Sequence, residues 1–110
     1  MAFHEVDILV IGSGAGALTA AFTAADAGAD VLVVEKSTRY GGTSATSGGG
    51  IWIPNSDDAR AKGHADDPDE ALGYIKALIG DDVPETKLAT YVDNAHRMLS
   101  YLEQRSQVQY

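Results

Sequence analysis

The 110-residue sequence contains no cysteine, only three prolines and no long apolar run. The absence of cysteine excludes a disulfide framework, a thiolate metal site and a cysteine nucleophile from this segment. No apolar run approaches the roughly 18 residues of a membrane-spanning helix, and no basic region precedes the first apolar run as in a secretory signal. We therefore expect no transmembrane segment and a cytoplasmic location.

Basic residues are also scarce, with 8 against 16 acidic residues and a net charge of −8. None of the basic residues is clustered. Nucleic acids and anionic membrane surfaces are bound by concentrated positive charge, so neither is an expected partner. The three histidines lie far apart in the sequence, and His96 lacks an acidic partner at ligand spacing, so no metal ion is expected.

Residues 6–36 have the pattern of a βαβ unit. The apolar, β-branched run at 7–11 is typical of a strand that is buried on both faces of a parallel sheet. A second apolar run at 31–34 predicts another strand, which ends at Glu35. Residues at helical spacing predict the buried face of the helix between the strands: Leu18, Ala21, Phe22 and Ala25.

The turn between the first strand and the helix has the pattern G-x-G-x-x-G/A. Gly12 lets the chain turn tightly, Gly14 lets the backbone approach a pyrophosphate, and Ala17 lets helix and strand pack closely. The N-terminal N–H groups of the helix attract phosphate oxygens. The predicted phosphate-binding residues are Gly12, Ser13, Gly14, Ala15, Gly16 and Ala17.

Glu35 follows this turn by about 20 residues, the spacing at which a carboxylate hydrogen-bonds the ribose hydroxyls of a dinucleotide. Lys36, beside it, is a candidate contact to ribose or phosphate. The alternative is an ordinary glycine turn in an α/β protein with a surface carboxylate. The combination of strand, helix, second strand and acid favours dinucleotide binding.

Residues 41–50, GGTSATSGGG, hold five glycines and four hydroxyl side chains. The composition alone would suit a flexible linker. The position directly after Glu35 and before the apolar residues 51–53 favours a cofactor cradle instead, since glycines let backbone amides lie against a flat ring and hydroxyls donate to its oxygens. The candidate contacts in this loop are Gly42, Thr43, Ser44, Ser47, Gly48 and Gly49.

Residues 55–66 are polar and are expected to form a loop, and helical spacing then predicts helices over about 68–79 and 84–104. One βαβ unit cannot cover both faces of a parallel sheet. We therefore expect an α/β fold in an incomplete nucleotide-binding domain, an N-terminal piece whose missing strands lie in the remainder of the polypeptide. The predicted core stripes are Leu72, Ile75, Leu78 and Ile79 in the first helix and Leu88, Tyr91, Val92, Ala95, Met98, Leu99 and Leu102 in the second.

These motifs resemble the FAD-binding start of the fumarate reductase and 3-ketosteroid dehydrogenase flavoproteins. The string GGTSATSGGGIWIPN, with YIKALIGD and MLSYLEQ downstream, is most similar to bacterial 3-ketosteroid Δ1-dehydrogenases. The resemblance implies a Rossmann-like fold with FAD as cofactor. It also implies that residues 1–110 are the N-terminal part of an FAD-binding domain and that the substrate domain lies in the remainder of the polypeptide. Thr43 stands where some relatives carry a flavin-linked histidine, so FAD should be non-covalent. Ser44 and Gly49 stand where disulfide-reducing flavoenzymes have cysteines, which excludes a dithiol relay.

The resemblance also implies an oxidoreductase that removes two hydrogens from the A ring of a 3-ketosteroid. A base takes a proton beside the ketone, and FAD accepts a hydride from the neighbouring carbon. The catalytic residues cannot be assigned within this segment, and the isolated chain is expected to be inactive. Two alternatives stay open: a fumarate reductase-like flavoprotein segment, and a catalytically inactive truncated fragment.

Overall fold

The computed structural model describes residues 3–110, which form two compact units, one up to Gly50 and one over Ile51–Tyr110. The first unit contains strand β1 (Ile8–Ile11), helix α1 (Ala15–Asp26), strand β2 (Val31–Val34) and a 3₁₀ helix (Gly42–Thr46). The second unit contains helices α2 (Asp57–Ala61), α3 (Pro68–Ile79) and α4 (Glu85–Arg105), with a 3₁₀ helix (Gly80–Asp82) between the last two.

The first unit is a βαβ unit with a two-stranded parallel sheet. Ile8 lies opposite Val31 and Ile11 opposite Val34, so the two strands end at the same edge of the sheet. Parallel strands need a crossover connection, which α1 provides by packing against both strands. The predicted α/β fold with a Rossmann-like βαβ unit is confirmed.

The burial predicted for this unit is wrong in two places. Leu9 and Ile11 of β1 are 53% and 80% exposed, so β1 is not buried on both faces within this chain. On α1, Ala21 is buried and Phe22 half-buried, whereas Leu18 and Ala25 are exposed. The reason is geometric: a two-stranded sheet with one helix has nothing to cover its second face or its edges.

The second unit is built on the packing of α3 against α4. Every third or fourth residue of α4 from Leu88 to Leu102 is buried, as its pattern predicts. Three members of the predicted stripes are exposed instead, namely Leu78, Tyr91 and Met98, because one partner helix covers a narrower face than the stripe spans. The buried residues of these two helices are Ala71, Leu88, Val92, Ala95, Leu99 and Leu102.

A short helix, α2, occupies part of the stretch that the sequence predicts as a loop. Ser56 caps it, since its Oγ accepts a hydrogen bond from the Ala59 amide at 3.2 Å. Ser100 Oγ on α4 donates to Asp57 Oδ2 at 2.6 Å. This hydrogen bond, with a second from Arg60, lowers the pKa of the Asp57 carboxyl. Five residues are too few to form a stable helix alone, so α2 depends on such contacts.

Among the described residues, none of the helices combines the length and the hydrophobicity of a membrane span.

The core between α3 and α4 leads to a stability prediction. We expect Leu88→Ala to lower the free energy of unfolding of the second unit by about 2–4 kcal/mol, because it removes a buried side chain and leaves a cavity. The matched control is Leu78→Ala on α3, where the leucine is 67% exposed; its effect should stay below about 1 kcal/mol. Trp52 stacks against Tyr91 of α4, so its fluorescence during urea unfolding reports on this unit. Equal losses in the two variants would contradict the assigned core.

Candidate cofactor-binding site

The glycine turn connects the end of β1 to the start of α1. The Gly12 amide donates to Val34 O at 2.7 Å, and the chain then leaves the sheet with a Gly12 φ of +96°, a conformation that favours glycine. The first hydrogen bond within α1 runs from Leu18 N to Gly14 O, at 2.9 Å. The three amides before Leu18 therefore have no acceptor inside the helix and lie at its positive end.

The 3₁₀ helix at Gly42–Thr46 packs against this turn. A Cβ on Gly42 would stand only 3.3 Å from Gly14 Cα, so two glycine backbones meet here. Ser44 Oγ accepts a hydrogen bond from the Ala15 amide at 3.2 Å and so takes one of the free amides of α1. Residues 41–46 are thus a folded part of the unit and not a flexible linker.

Glu35, at the end of β2, is held by hydrogen bonds to both carboxylate oxygens. Ser13 Oγ donates to Oε2 at 2.5 Å, and the Ser37 amide donates to Oε1 at 2.9 Å. The hydroxyl of Ser13 and then the amide of Ser37 lower the pKa of the Glu35 carboxyl. Glu35 is therefore an anion at neutral pH, with lone pairs left for further donors.

An open cavity of about 510 Å³ lies beside Glu35. Two cationic side chains, Lys36 and Arg39, share its wall with this carboxylate. A ligand here meets an acceptor for hydroxyl groups together with positive charge for an anion. The remaining lining residues are Ser37, Tyr40, Gly42, Thr43, Ala45 and Thr46.

The structure brings most of the predicted site residues together. The glycine turn, the Glu35 carboxylate and the 3₁₀ helix are joined by hydrogen bonds or close packing, and Lys36 and Thr43 line the adjacent cavity. The end of the loop joins this cluster through the Ser47 amide, which donates to Ser44 O at 3.3 Å. Ser47, Gly48 and Gly49 are exposed, and Ser47 Oγ accepts locally from the Gly49 amide at 3.2 Å.

Two residues of this cluster are absent from the predicted site. Gly41 has a φ of +104°, and a Cβ there would stand 2.5 Å from Ala45 Cβ. In the sequence, its place as the first of two consecutive glycines was the signal that could have identified it. Arg39 reaches the cavity from a polar connection, where the sequence pattern distinguishes it poorly from a solvated arginine.

These features suit the adenosine diphosphate half of a dinucleotide. The turn and the 3₁₀ helix approach each other through glycine backbones. The amides of Gly16 and Ala17 belong to the first turn of α1, where backbone N–H groups attract phosphate oxygens. The ionised carboxylate at the end of β2 suits ribose hydroxyls. The fold and the site together define a dinucleotide-binding protein of the Rossmann-like class.

A family model described as an FAD binding domain matches residues 7–110. The chain therefore belongs to the FAD binding domain family, and its cofactor is FAD.

Several dehydrogenases are similar to this chain. The 3-oxosteroid 1-dehydrogenase of Mycolicibacterium smegmatis is 48% identical over 106 residues, which are 96% of this chain and 19% of that protein. The 4-oxocyclohexanecarboxylate 2-dehydrogenase of Sinomonas cyclohexanicum is 50% identical over 97 residues, 88% of this chain and 17% of that protein.

A solved structure is similar as well. The crystal structure of 3-ketosteroid delta1-dehydrogenase from Sterolibacterium denitrificans, in complex with 1,4-androstadiene-3,17-dione, has a TM-score of 0.80 and 48% identity. The match covers 90% of this chain and 17% of that chain. The predicted resemblance to 3-ketosteroid dehydrogenase flavoproteins is confirmed, and this chain spans less than a fifth of the length of these three relatives.

The packing at the head of the 3₁₀ helix leads to a second prediction. We expect Gly41→Ala to destabilise the first unit by about 1–3 kcal/mol, since alanine is strained at this φ and its Cβ meets Ala45. Gly50→Ala is the control, because a Cβ there meets open space; we expect a change within about 0.5 kcal/mol. Hydrogen exchange of the β1 and β2 amides measures both. Unchanged exchange in Gly41→Ala would show that the loop does not pack as described.

Proposed function

We propose that this chain is the FAD-binding segment of a flavin-dependent dehydrogenase that acts on the carbon–carbon bond beside a ring ketone, with a 3-ketosteroid as substrate. The observation that carries the proposal is the 48% identity to a 3-oxosteroid 1-dehydrogenase over 96% of this chain. The substrate site and the catalytic residues of the whole protein are assigned to the rest of the polypeptide, since this segment matches less than a fifth of its relatives.

Within this proposal, the first unit holds the adenosine diphosphate half of FAD. The glycine turn at 12–17 receives the diphosphate through the free amides at the start of α1, and Glu35 accepts hydrogen bonds from the ribose. Lys36 and Arg39 balance the phosphate charge. Gly42, Thr43 and Ser44 border the diphosphate, and the exposed Ser47, Gly48 and Gly49 are assigned to the flavin half.

We propose further that FAD is bound non-covalently. The sequence has no cysteine to form a thioether with the flavin, and Thr43 offers only a weakly nucleophilic hydroxyl at the position of the flavin-linked histidine of other family members. Thr43 lines the cavity beside Glu35, where it acts as a hydrogen-bonding group.

When bound, the flavin supplies the electron acceptor that any dehydrogenation needs. The described residues contribute binding and orientation. Ser13 Oγ and the Ser37 amide fix both carboxylate oxygens of Glu35, so the remaining lone pairs point in set directions. The carboxylate is therefore already oriented when a ligand hydroxyl binds to it, which lowers the entropy cost of binding. The rigid turn then fixes where the rest of the cofactor extends.

A second substrate class is supported by the 50% identity to a 4-oxocyclohexanecarboxylate 2-dehydrogenase. Such a substrate shares the ring ketone, which acidifies the neighbouring C–H bonds, but it is smaller and carries a carboxylate. The two candidates therefore share one reaction type and differ in the size and charge of the pocket that they need.

The proposed activity is tested on the full-length flavoprotein that carries this segment. We expect a yellow protein that releases FAD on denaturation and reduces an artificial electron acceptor when given a 3-ketosteroid. Activity with 4-oxocyclohexanecarboxylate alone would move the assignment to the second class. A colourless protein that binds only a nicotinamide dinucleotide would contradict both.

The isolated 110-residue chain should retain FAD weakly or not at all. Tight stoichiometric binding of FAD by the isolated chain would contradict this expectation.

The role of Glu35 is tested by affinity. In the full-length flavoprotein, Glu35→Ala should weaken FAD binding by about 1–3 kcal/mol, the usual loss when a charged hydrogen-bond partner is removed. Glu5→Ala is the control, because it removes the same charge from an exposed position ahead of β1. Titration of the apoprotein with FAD measures both. An affinity that stays at the wild-type value in Glu35→Ala would remove the carboxylate from the site.

A further inference from the structure

Ser13 is a buried polar residue in the middle of the glycine turn, with a relative exposure of 2%. Its hydroxyl carries one proton and two lone pairs. The proton is donated to Glu35 Oε2 at 2.5 Å, and a lone pair accepts the Gly41 amide at 2.9 Å. One hydroxyl thus links three segments that are distant in sequence: the turn, the end of β2 and the head of the 3₁₀ helix.

On the loop side, this link anchors the start of the 3₁₀ helix. Gly41 donates its amide to Ser13, while its carbonyl accepts the Ala45 amide at 3.2 Å. Three residues after Gly41, Ser44 Oγ accepts the Ala15 amide. The loop is therefore hydrogen-bonded to the turn at two points, through Gly41 and through Ser44. Between these two residues, Gly42 packs against Gly14.

On the carboxylate side, the link is a second hydrogen bond to a side chain that the Ser37 amide also holds. Glu35 follows the last residue of β2, and its side chain has three rotatable bonds. The Ser37 amide holds Oε1, but it lies two residues away on the same connection and moves with it. Ser13 is the donor that ties the carboxylate to the turn itself.

We propose that Ser13 is a positioning residue of the FAD site: its hydroxyl orients Glu35 toward the ribose and fastens residues 41–44 onto the glycine turn. In this role the Ser13 hydroxyl acts through Glu35 and the loop and does not itself contact the cofactor. The inference rests on the proposed binding of FAD at this turn.

The role predicts a pH dependence with a definite sign. The Ser13 hydroxyl is the main cause that lowers the pKa of Glu35, so its removal raises that pKa. Ribose hydroxyls bind best to the ionised carboxylate, and this contribution is lost as the pH falls through the pKa of Glu35. Without Ser13, FAD is therefore released at a higher pH. The other charged side chains at the same cavity are those of Lys36 and Arg39.

The experiment compares FAD affinity across the acid pH range in the full-length flavoprotein and its variants. Ser13→Ala should weaken binding about tenfold at neutral pH, as expected for losing a hydrogen bond to a charged group. The midpoint of acid-induced FAD release should also move to higher pH. Ser13→Thr keeps the hydroxyl and should retain the wild-type midpoint.

Ser106→Ala is the matched control for loss of a hydroxyl. Ser106 Oγ donates to Leu102 O at 2.6 Å and accepts the Val108 amide at 3.0 Å, the same pair of roles at the end of α4 in the second unit. It should leave both the affinity for FAD and the release midpoint unchanged. A shift in Ser106→Ala equal to that in Ser13→Ala would overturn the positioning role, because general destabilisation would then explain both.

The possible outcomes separate this inference from the proposed function. If the wild-type protein binds no FAD, the proposed function fails. If it binds FAD and Ser13→Ala retains the wild-type affinity and midpoint, only the role of Ser13 is wrong. A weaker Ser13→Ala with an unmoved midpoint also overturns that role, since it indicates a merely structural effect. If Ser13→Ala does not fold, the Glu35→Gln variant is measured instead. Glu35→Gln should abolish the acid-induced release of FAD within the pH range where Glu35 titrates. An unchanged release profile in Glu35→Gln would overturn the positioning role of Ser13.

Discussion

The close approach of two backbones, at Gly14 in the turn and Gly42 in the 3₁₀ helix, is the constraint on which the first unit depends. Any side chain at Gly42 would intrude on the turn, since its Cβ would stand 3.3 Å from Gly14 Cα. The two segments meet here without side chains between them, beside the start of α1, whose N-terminal amides attract anions. The hydrogen bonds of Ser13 and Ser44 then hold the two segments together.

The part of this arrangement that is predictable from the sequence is local or strictly periodic. The alternation of strand, glycine turn, helix and strand follows from short patterns, and the position of Glu35 follows from a fixed spacing. Contacts between distant segments are not encoded in such patterns. The hydrogen bonds of Ser13 with Gly41 and of Ser100 with Asp57 join residues that are 28 and 43 positions apart, which explains why neither was predicted.

Burial is the property that the sequence predicts least well here, and the reason is physical. A run of apolar residues indicates that a strand is buried by neighbouring elements. It does not indicate that those elements lie in the same segment of the chain. Ile11 is a strand residue by pattern and 80% exposed in the structure. With no other strand paired to β1 and β2 among residues 3–110, the sheet leaves apolar surface in water, which lowers the stability of the first unit. A ligand that binds only the folded turn would offset part of that loss.

The similarity to two kinds of dehydrogenase bears on what this segment contributes. One relative is named for a 3-oxosteroid and another for 4-oxocyclohexanecarboxylate, yet their identities to this chain are nearly equal, 48% and 50%. A tetracyclic neutral substrate and a monocyclic anion need different pockets. If this segment determined which substrate binds, its sequence identity to one of the two relatives should be clearly higher. The near equality therefore favours a segment whose sequence is constrained by the cofactor. The structure agrees with this division, since the connected hydrogen bonds of the first unit converge on the turn and on Glu35, where we propose that the dinucleotide binds.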